Sequence, residues 1–476
     1  REEDIEHIRQ IADRERAPFY VVGETTGDHR FVFEQTDGVK PIDLAMEDMF
    51  GKAPRTIMTD KTVEETYEDV TYDQTQLDEY VERVLQLEAV ACKDWLTNKV
   101  DRSVTGKIAR QQCQGEIQLP LSDCGVVALD YRGRAGIATS IGHAPQAALV
   151  DPAAGSVLSI AEALTNIVWA PLSEGLDSVS LSANWMWPCK NEGEDARLYR
   201  AVEACSDFAC SLGINIPTGK DSLSMTQKYG KDKVYSPGTV IISAGAEVSD
   251  IRKVVSPVLR TGVNSTIYYI DFSFDKLKLG GSAFAQSLDK IGKEVPTVQD
   301  SEYFANAFNA VQELVNKEFI LAGHDISAGG MITTMLEMNF ANTEGGLEVS
   351  LDEIPEKDLV KILFSENPGI LIQVEKTDEV EKILKKAGVA FIRLARPCDE
   401  RHLLIHKDGA DYQFFIDHLR DVWFESSYLL DRKQSVEKAA KDRFLNYKEQ
   451  PLQFRFPDSF MEIEKLPIRS IWRDSM

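Results

Sequence analysis

The stretch DPAAGSVLSIAEALTNIVWA at residues 151–170 predicts the helix around which the rest of the chain can be organised. Asp151 followed by Pro152 is typical of a helix start. The aspartate accepts hydrogen bonds from free N–H groups of the first turn, and proline suits the first helical position. Apolar residues then recur at intervals of three or four, which predicts one apolar face made of Val157, Ile160, Ala161, Leu164 and Val168.

Two polar residues of this helix, Glu162 and Asn166, lie four positions apart, so their side chains extend the same way from adjacent turns. A carboxylate and an amide oxygen in that arrangement can share a hard cation such as Mg²⁺, which takes oxygen ligands. The alternative is an exposed polar stripe, because polar pairs at this spacing are common on helix surfaces. The spacing by itself leaves both interpretations open.

Composition restricts the class of protein. The 476 residues are 43% hydrophobic and 27% charged, as in globular proteins with several domains. A net charge of −24 argues against nucleic-acid binding, which needs basic patches. No run approaches the ~18 apolar residues that would span a membrane. Seven cysteines without CxxC spacing favour free thiols in a reducing cytoplasm over a disulfide framework or a zinc site. The opening REEDIEHIRQ is not a signal peptide, and we expect a piece of a longer protein.

Alternating strand and helix patterns after residue 93 predict sheets covered by helices. Two acidic residues fall at predicted strand ends: Asp123 in LPLSDCG and Asp325 in FILAGHDISAGG. Ligands of such sheets gather at strand-to-helix turns, and the helix start at residues 329–331 could offer N–H groups to an anion. With Glu162 and Asn166, these residues form a plausible cage for Mg²⁺ bound to nucleotide phosphates. Each aspartate taken separately is more commonly a cap or a turn former.

Other candidates are weaker. Residues 214–217 are predicted as a strand, and the segment after it contains GKDSLSM (219–225). Lys220 could hold a phosphate there, or the segment is a polar loop in which Lys220 pairs with Asp221. Residues 96–107 (LTNKVDRSVTGK) are predicted as a strand ending in a turn, with Asp101 as either a phosphate clamp or a turn residue. Lys93 follows a predicted helix, where a cation is unremarkable. The sequence contains no GxxxxGK[ST] loop, no GxGxxG loop opening a helix and no nucleophile elbow.

Eight short strings, in this order and at this spacing, resemble the large, single-chain formylglycinamide ribonucleotide amidotransferase family of purine biosynthesis. They are DRSVTGK (101–107), LPLSDCGV (119–126), EALTN (162–166), LSANWM (181–186), GEDARLY (193–199), PTGKDSLSM (217–225), LGGSA (279–283) and HDISAGGM (324–331). RERAPFYVVGE (14–24) fits the same family, and the resemblance covers roughly residues 5–430.

The resemblance implies an α+β fold of α/β layers: an aminoimidazole ribonucleotide synthetase-like two-domain unit with mixed sheets covered by helices. It implies the tail of a preceding synthetase copy at residues 1–35 and an acidic connector and helix at 36–92. The N-terminal (nucleotide and metal) domain of a second copy would follow at 93–250 and its C-terminal domain at 251–430, with a linker toward a glutaminase at 431–476.

The resemblance also implies a function. The family converts formylglycinamide ribonucleotide, ATP and glutamine to formylglycinamidine ribonucleotide, ADP, phosphate and glutamate, with Mg²⁺. Its partners for this chain would be the N-terminal synthetase half and the C-terminal glutaminase domain of the same polypeptide, so the piece is expected to be inactive alone. The alternative is a non-catalytic scaffold holding a structural ATP or ADP.

Site residues follow from the matched strings. The resemblance places magnesium ligands at Asp123, Glu162, Asn166 and Asp325. It places nucleotide contacts at Ser122 and Ser327, the former through its backbone. Four weaker catalytic candidates match strings near the substrate or phosphate site: Lys93, Asp101, Lys220 and Asp221.

Overall fold

The structure is a computed structural model that describes residues 1–51, 57–449 and 451–452. The chain divides into two compact units, residues 1–59 and residues 60–476. Across the described residues, no helix has the length and apolar character needed to cross a membrane.

The first unit is small. Its strands β1 and β2 pair antiparallel, with Arg30 opposite Ala45. The elements are α1 (Ile5–Arg14), β1 (Arg30–Phe33), β2 (Ile42–Ala45) and α2 (Met46–Phe50).

The second unit begins with helices and then a mixed sheet. The early elements are α3 (Leu77–Gln86), α4 (Asp94–Thr97), β3 (Ile108–Arg110), β4 (Cys113–Gln114), β5 (Leu119–Pro120), β6 (Gly125–Ala128), β7 (Gly136–His143), α5 (Pro145–Val150) and α6 (Pro152–Ile167). They are followed by β8 (Ser180–Met186), α7 (Glu194–Ser211), β9 (Asn215–Ser222), β10 (Thr226–Tyr229), β11 (Asp232–Tyr235) and β12 (Thr239–Val248). Six of these strands form a sheet in the order β3-β6-β7-β12-β8-β9, in which only the β8–β9 pair is parallel.

A second mixed sheet follows along the chain, in the order β14-β16-β13-β17-β15-β18-β19, with a parallel pair at β15–β18. Its elements are β13 (Thr266–Asp271), α8 (Ala283–Ser287), α9 (Ser301–Asn316), β14 (Ile320–Ile326), α10 (Gly330–Phe340), β15 (Gly346–Ser350), α11 (Leu359–Phe364) and β16 (Gly369–Val374). The remaining elements are α12 (Thr377–Lys386), β17 (Phe391–Cys398), β18 (His402–Lys407), β19 (Ala410–Phe415), α13 (Ile416–Gln434) and α14 (Glu437–Asn446). The fold is therefore α+β with mixed sheets and covering helices, as the sequence predicted.

Helix α6 begins as its sequence predicts. The Asp151 carboxylate accepts a hydrogen bond from the Ala153 amide at 2.9 Å, with Pro152 at the first helical position. Its apolar face is buried against the six-stranded sheet. Gly142 of β7 allows close packing, because a Cβ atom there would lie 2.2 Å from the Ser159 carbonyl oxygen. The helix is thereby held directly against β7.

The far end of α6 is fixed to the second sheet. The Gln312 amide of α9, which is 3% exposed, donates to the carbonyl oxygens of Val168 at 2.6 Å and Ala170 at 2.9 Å. These bonds satisfy carbonyl groups that a helix end leaves without partners. Gly323 of β14 receives the Trp169 ring, since a Cβ atom at that position would lie 2.1 Å from it. Both contacts fix α6 relative to β14, the strand that carries Asp325.

Two local predictions are wrong. Residues 96–107 do not form a strand: α4 ends at Thr97, and a short 3₁₀ turn covers Val104–Gly106. Residues 218–222 are not a loop, because β9 continues through Ser222 in parallel register with β8. In the second case the pairing with β8 supplies hydrogen bonds that a local reading of glycine and polar residues does not anticipate.

Candidate functional site

A buried acidic cluster lies where β14 and the start of β6 meet. Ligand atoms of Asp123, His324 and Asp325 lie within 4.8 Å of one another. The His324 Nδ1 atom is 2.8 Å from Asp123 Oδ1 and 3.5 Å from Asp325 Oδ1, and its Nε2 atom is 3.2 Å from Glu337 Oε2. Both aspartate side chains are 3% exposed. The structure thus brings together Asp123 and Asp325, two aspartates separated by two hundred residues of sequence.

The cluster leaves two carboxylate oxygens without hydrogen bonds from the described part of the chain. The Oδ2 atoms of Asp123 and Asp325 are buried and have no hydrogen-bond partner among the described residues. Burial raises the pKa of Asp325 well above its ordinary value, and the nearby Asp123 carboxylate raises it further. Burial also raises the pKa of Asp123, against the opposing effect of His324. Burial alone would lower the pKa of His324, but Asp123 and Glu337 raise it well above normal. A cation at this position would relieve both carboxylates.

Glu162 faces the same region from α6. Its Oε2 atom accepts a hydrogen bond from the His143 amide at 2.5 Å. Burial raises the pKa of Glu162, and its charge in turn raises the pKa of Asp325, so the two carboxylates lie within electrostatic range. The Asn166 amide group donates to the Ile141 carbonyl oxygen at 3.0 Å, which leaves its side-chain oxygen available for a further contact.

A cavity adjoins the cluster. Its walls come from α5, α6, the glycine loop before α8 and the turn between β14 and α10. The lining residues are Ala89, His143, Ala144, Gln146, Ala147, Leu158, Glu162, Thr165, Gly280, Gly281, Pro296, Ile326, Ser327, Ala328, Glu366 and Pro368. Ser327 and Glu162 therefore border one space, with an apolar wall beside them. The apolar part of this lining suits an apolar ring, whereas Glu162 and Glu366 make the rest of it acidic, so an anionic group there needs a cation beside it.

Two other candidates lie close to the cluster. The Ser122 hydroxyl donates to the Cys124 carbonyl oxygen at 3.1 Å, next to Asp123. The Lys93 ammonium group donates to the Ala89 carbonyl oxygen at 3.3 Å and to that of Ala91. Burial lowers the pKa of Lys93, while the charge of Glu337 opposes that shift. Lys93 thus lies within electrostatic range of the acidic cluster.

Three weak catalytic candidates lie elsewhere. Asp101, Lys220 and Asp221 are exposed and are not among the residues that line the cavity. Lys220 donates to the Ser222 hydroxyl at 2.5 Å on the edge strand β9. Nothing in the described part of the chain groups these three residues with the carboxylates.

The start of α10 differs from the prediction as well. The Gly329 amide donates to Glu366 Oε1 at 2.8 Å, and the Gly330 amide donates to the Ser327 carbonyl oxygen at 3.0 Å. These two N–H groups are therefore engaged within the protein and are not free for an anion. Sequence reasoning missed Glu366, as it missed His324 and Glu337 around the aspartates. For His324 the signal was its place beside Asp325, whereas Glu366 carries no local pattern.

Two family models match the chain. The description "FGAR-AT PurM_N-like domain" matches residues 92–247, and "AIR synthase related protein, C-terminal domain" matches residues 265–402. Together with the two mixed sheets, they define an AIR synthase-related two-domain protein, which confirms the predicted fold class.

Similarity to curated proteins narrows that class. The chain is 34% identical to phosphoribosylformylglycinamidine synthase of Homo sapiens, over 98% of this chain and 36% of that protein. It is 35% identical to the probable phosphoribosylformylglycinamidine synthase of Caenorhabditis elegans, over 92% of this chain and 34% of that protein. The chain therefore belongs to the phosphoribosylformylglycinamidine synthase family, as its strings indicated. It spans about a third of the length of these relatives.

Solved structures support the fold. The Thermotoga maritima protein titled "PurL complexed with FGAR" aligns with a TM-score of 0.56 at 16% identity, over 72% of this chain and 53% of that chain. The one titled "PurL complexed with ATP" aligns with a TM-score of 0.53 at 14% identity, over 72% and 52% of the two chains. At these identities the likeness concerns the fold alone.

Proposed function

We propose that this chain binds a magnesium–adenine nucleotide complex in the cavity beside the acidic cluster. Asp123, Glu162, Asn166 and Asp325 would supply oxygen ligands, and Ser122 and Ser327 would contact the nucleotide. The observation that carries the proposal is the pair of buried Oδ2 atoms of Asp123 and Asp325, which have no partner among the described residues. A buried carboxylate oxygen that makes no hydrogen bond is costly, and a hard divalent cation prefers such oxygen ligands.

The donor set fits Mg²⁺. Carboxylate and amide oxygens are its usual protein ligands, and the remaining positions go to water and phosphate oxygens. When bound, the ion would neutralise charge on the nucleotide phosphates. The His143 amide orients Glu162 through its 2.5 Å bond, and the Ile141 carbonyl orients Asn166. The apolar wall of the cavity, including Leu158 and Ala147, would exclude water from one side of the ligand.

For the whole protein we propose the reaction of the named family. Formylglycinamide ribonucleotide would be amidated to formylglycinamidine ribonucleotide at the expense of ATP, with glutamine as the nitrogen donor and with ADP, phosphate and glutamate released. The support is 34% identity over nearly the entire chain. The synthetase half and the glutaminase domain would be supplied by regions of the same polypeptide outside the matched third. On this proposal the chain is inactive by itself and acts in the cytoplasm.

A second candidate is a structural nucleotide that is held and not turned over. One observation favours it: Asp101, Lys220 and Asp221 do not border the cavity, so a nucleotide there would meet few groups suited to chemistry. In that case the Mg²⁺–ADP complex would stabilise the two sheets around α6 by linkage, because a ligand of the folded state raises stability.

The test is nucleotide content and exchange. The purified chain is denatured and its supernatant assayed for adenine nucleotide and Mg²⁺, and intact protein is incubated with labelled ATP. Retained nucleotide that exchanges supports turnover, and retained ADP that does not exchange supports the structural role. Absence of both nucleotide and any MgADP-dependent rise in melting temperature contradicts the proposal.

The variant Glu162→Ala tests whether Glu162 is one of the metal ligands. We expect it to lower nucleotide and Mg²⁺ retention and to reduce stability, because one oxygen ligand and the bond from His143 are lost. Glu203→Ala is the matched control, since Glu203 is exposed on α7 and does not line the cavity. A Glu162→Ala protein with wild-type nucleotide content and melting temperature would refute the metal assignment.

A further inference from the structure

One carboxylate in the cavity wall has no role in the site described above. Glu366 lies between α11 and β16, and its Oε1 atom accepts two backbone hydrogen bonds. The first comes from the Gly329 amide at 2.8 Å, just before α10. The second comes from the Ala283 amide at 2.8 Å, at the start of α8. A single oxygen atom therefore joins two loops that are 46 residues apart along the chain.

Both loops line the cavity. Gly280 and Gly281 belong to the loop before α8, and Ser327 and Ala328 belong to the turn before α10. Gly281 and Gly329 have φ angles of 63° and 93°, in the left-handed region that glycine adopts readily. Glycine-containing loops have little intrinsic preference for one conformation, so contacts with other parts of the protein determine the conformation that they adopt. The Glu366 carboxylate is the contact that the two loops share.

The segment that carries Glu366 is itself fixed. The neighbouring Asn367 is 2% exposed, and its amide group donates to the Ser273 hydroxyl and the Lys276 carbonyl oxygen, each at 3.1 Å. On the other side, the Phe364 ring stacks on Phe284 of α8 with centroids 4.9 Å apart. Because the segment is fixed on both sides of Glu366, the position of the Glu366 carboxylate is fixed as well, and so are the positions of the two amides that donate to it.

We propose that Glu366 is a positioning residue of the nucleotide cavity, which holds the loop before α8 and the turn before α10 at the separation that a bound nucleotide needs. This inference rests on the proposed function for the identity of the ligand. The clamp acts through the geometry of one acceptor oxygen and does not require negative charge. An amide oxygen at the same place accepts the same two N–H bonds.

Three substitutions separate geometry from charge. Glu366→Gln keeps the length and the acceptor oxygen but removes the charge. Glu366→Asp keeps the charge but withdraws the carboxylate by about 1.5 Å, the length of one carbon–carbon bond. Glu366→Ala removes both. Glu375→Gln is the matched control, because Glu375 lies exposed at the other end of β16.

Each variant of the full chain is titrated with MgADP by calorimetry, and its amide hydrogen exchange is measured without ligand. We expect Glu366→Asp and Glu366→Ala to weaken MgADP binding about tenfold, the order of one lost hydrogen bond. We also expect faster exchange in peptides covering residues 279–288 and 327–331. Glu366→Gln and Glu375→Gln should match the wild type in both measurements. If Glu366→Ala does not fold, the contrast between the Asp and Gln variants decides.

Two results overturn the inference. One is wild-type MgADP affinity and exchange in Glu366→Asp. The other is a loss in Glu366→Gln as large as that in Glu366→Asp, which would assign the effect to charge. If the wild-type chain itself binds no MgADP, the proposed nucleotide function fails instead. The amide hydrogen exchange rates then still test whether Glu366 positions the two loops, and unchanged exchange in Glu366→Asp would reject that role as well.

Discussion

Two buried aspartate sites in this molecule have opposite surroundings. Asp94, at the start of α4, is 3% exposed and forms a two-pronged ion pair with Arg443, with nitrogen–oxygen distances of 2.8 and 3.1 Å. Asp123 and Asp325 are equally buried, yet each keeps one carboxylate oxygen without a hydrogen-bond partner among the described residues. The first arrangement fixes α14 against α4. The second arrangement lowers the stability of the protein without a ligand, which is typical of ligand-binding sites.

The two sites should respond differently when a carboxylate is removed, because one carboxylate stabilises the fold and the other reduces its stability. A paired buried carboxylate destabilises the fold when it is removed, because its partner is left unpaired. A buried carboxylate with one oxygen that makes no hydrogen bond destabilises the fold while it is present, and replacement by a neutral isostere reduces that cost. Substitutions at the two sites should therefore change stability in opposite directions.

The largest effect is expected at the paired site. Asp94→Ala should lower the free energy of unfolding by about 3 kcal/mol, because two charge-assisted hydrogen bonds from Arg443 would be lost. Urea denaturation measures the change. The double variant Asp94→Ala with Arg443→Met should recover part of the loss, since it leaves no unpaired charge. An Asp94→Ala protein as stable as the wild type would contradict the stabilising role of this ion pair.

Glu366 is a third carboxylate, which is partly buried, and the partners of its Oε1 atom are the Gly329 and Ala283 amides. Burial raises its pKa to about 7 from 4.5, against the opposing effect of the Gly329 and Ala283 amides. The protonated form is thus favoured by folding, and its contribution to stability is complete below pH 4.5. That contribution is lost as the pH rises to about 7, by at most about 3 kcal/mol and less where solvent in the cavity screens the charge.

Urea unfolding of metal-free wild type and Glu366→Gln between pH 4.5 and 8.5 measures this loss. The stability of Glu366→Gln relative to the wild type should rise across pH 4.5–7 and stay level above it. Glu375→Gln, at an exposed position outside the cavity lining, is the control. A difference between Glu366→Gln and wild type that is constant over the whole range would contradict the raised pKa.

A smaller effect of opposite sign to Asp94→Ala is expected at Asp325, whose Oδ2 atom makes no hydrogen bond to the described residues. Asp325→Asn should raise the metal-free stability by about 1 kcal/mol, because the raised pKa of Asp325 reflects burial beside the Asp123 carboxylate. The same variant should lose the rise in melting temperature that MgADP produces. Thermal unfolding with and without MgADP measures both. Lower stability of Asp325→Asn without ligand would contradict the description of the site as strained.

Local signals predicted part of this arrangement. The Asp151–Pro152 start and the apolar spacing of α6 are short-range features, and the structure confirms both. The alternation of strands and helices predicted sheets covered by helices, and the family resemblance implied that the sheets are mixed. Asp123 and Asp325 were recognisable because each lies next to a strand end in a run of small residues. The expected domain boundaries at residues 35, 92, 250 and 430 stay predictions.

Other features depend on contacts between distant residues and have no local signature. Gln312 binds the end of α6 from 142 to 144 residues away. Glu366 joins two loops, and its segment follows a short helix without a distinctive pattern. The strand β9 runs through Lys220 because β8 pairs with it, although glycine and polar residues favoured a loop. In each case the tertiary partner, and not the local sequence, determines the structure.

An exposed carboxylate completes the comparison and should have the smallest effect. Asp60 accepts hydrogen bonds from the amides of Gly193, Asp195 and Ala196, at 3.2, 3.0 and 3.4 Å, at the start of α7. The neighbouring Lys61 amide lowers the pKa of Asp60 most, and these three amides lower it further. A lowered pKa means that the stabilisation is present above the ordinary value of 3.8 and is lost as the pH falls through the folded value.

Asp60→Ala should therefore lower the melting temperature near neutral pH by less than Asp94→Ala does, and the two proteins should converge below pH 3.8. Glu68→Ala, in the same connector, is the control and should leave the melting temperature unchanged. The MgADP response should be intact in Asp60→Ala, because Asp60 lies outside the cavity lining. If Asp60→Ala lowered the melting temperature as much as Asp94→Ala does, burial would not explain the difference in stability between these two carboxylates. The number of hydrogen bonds that each accepts would then be the explanation.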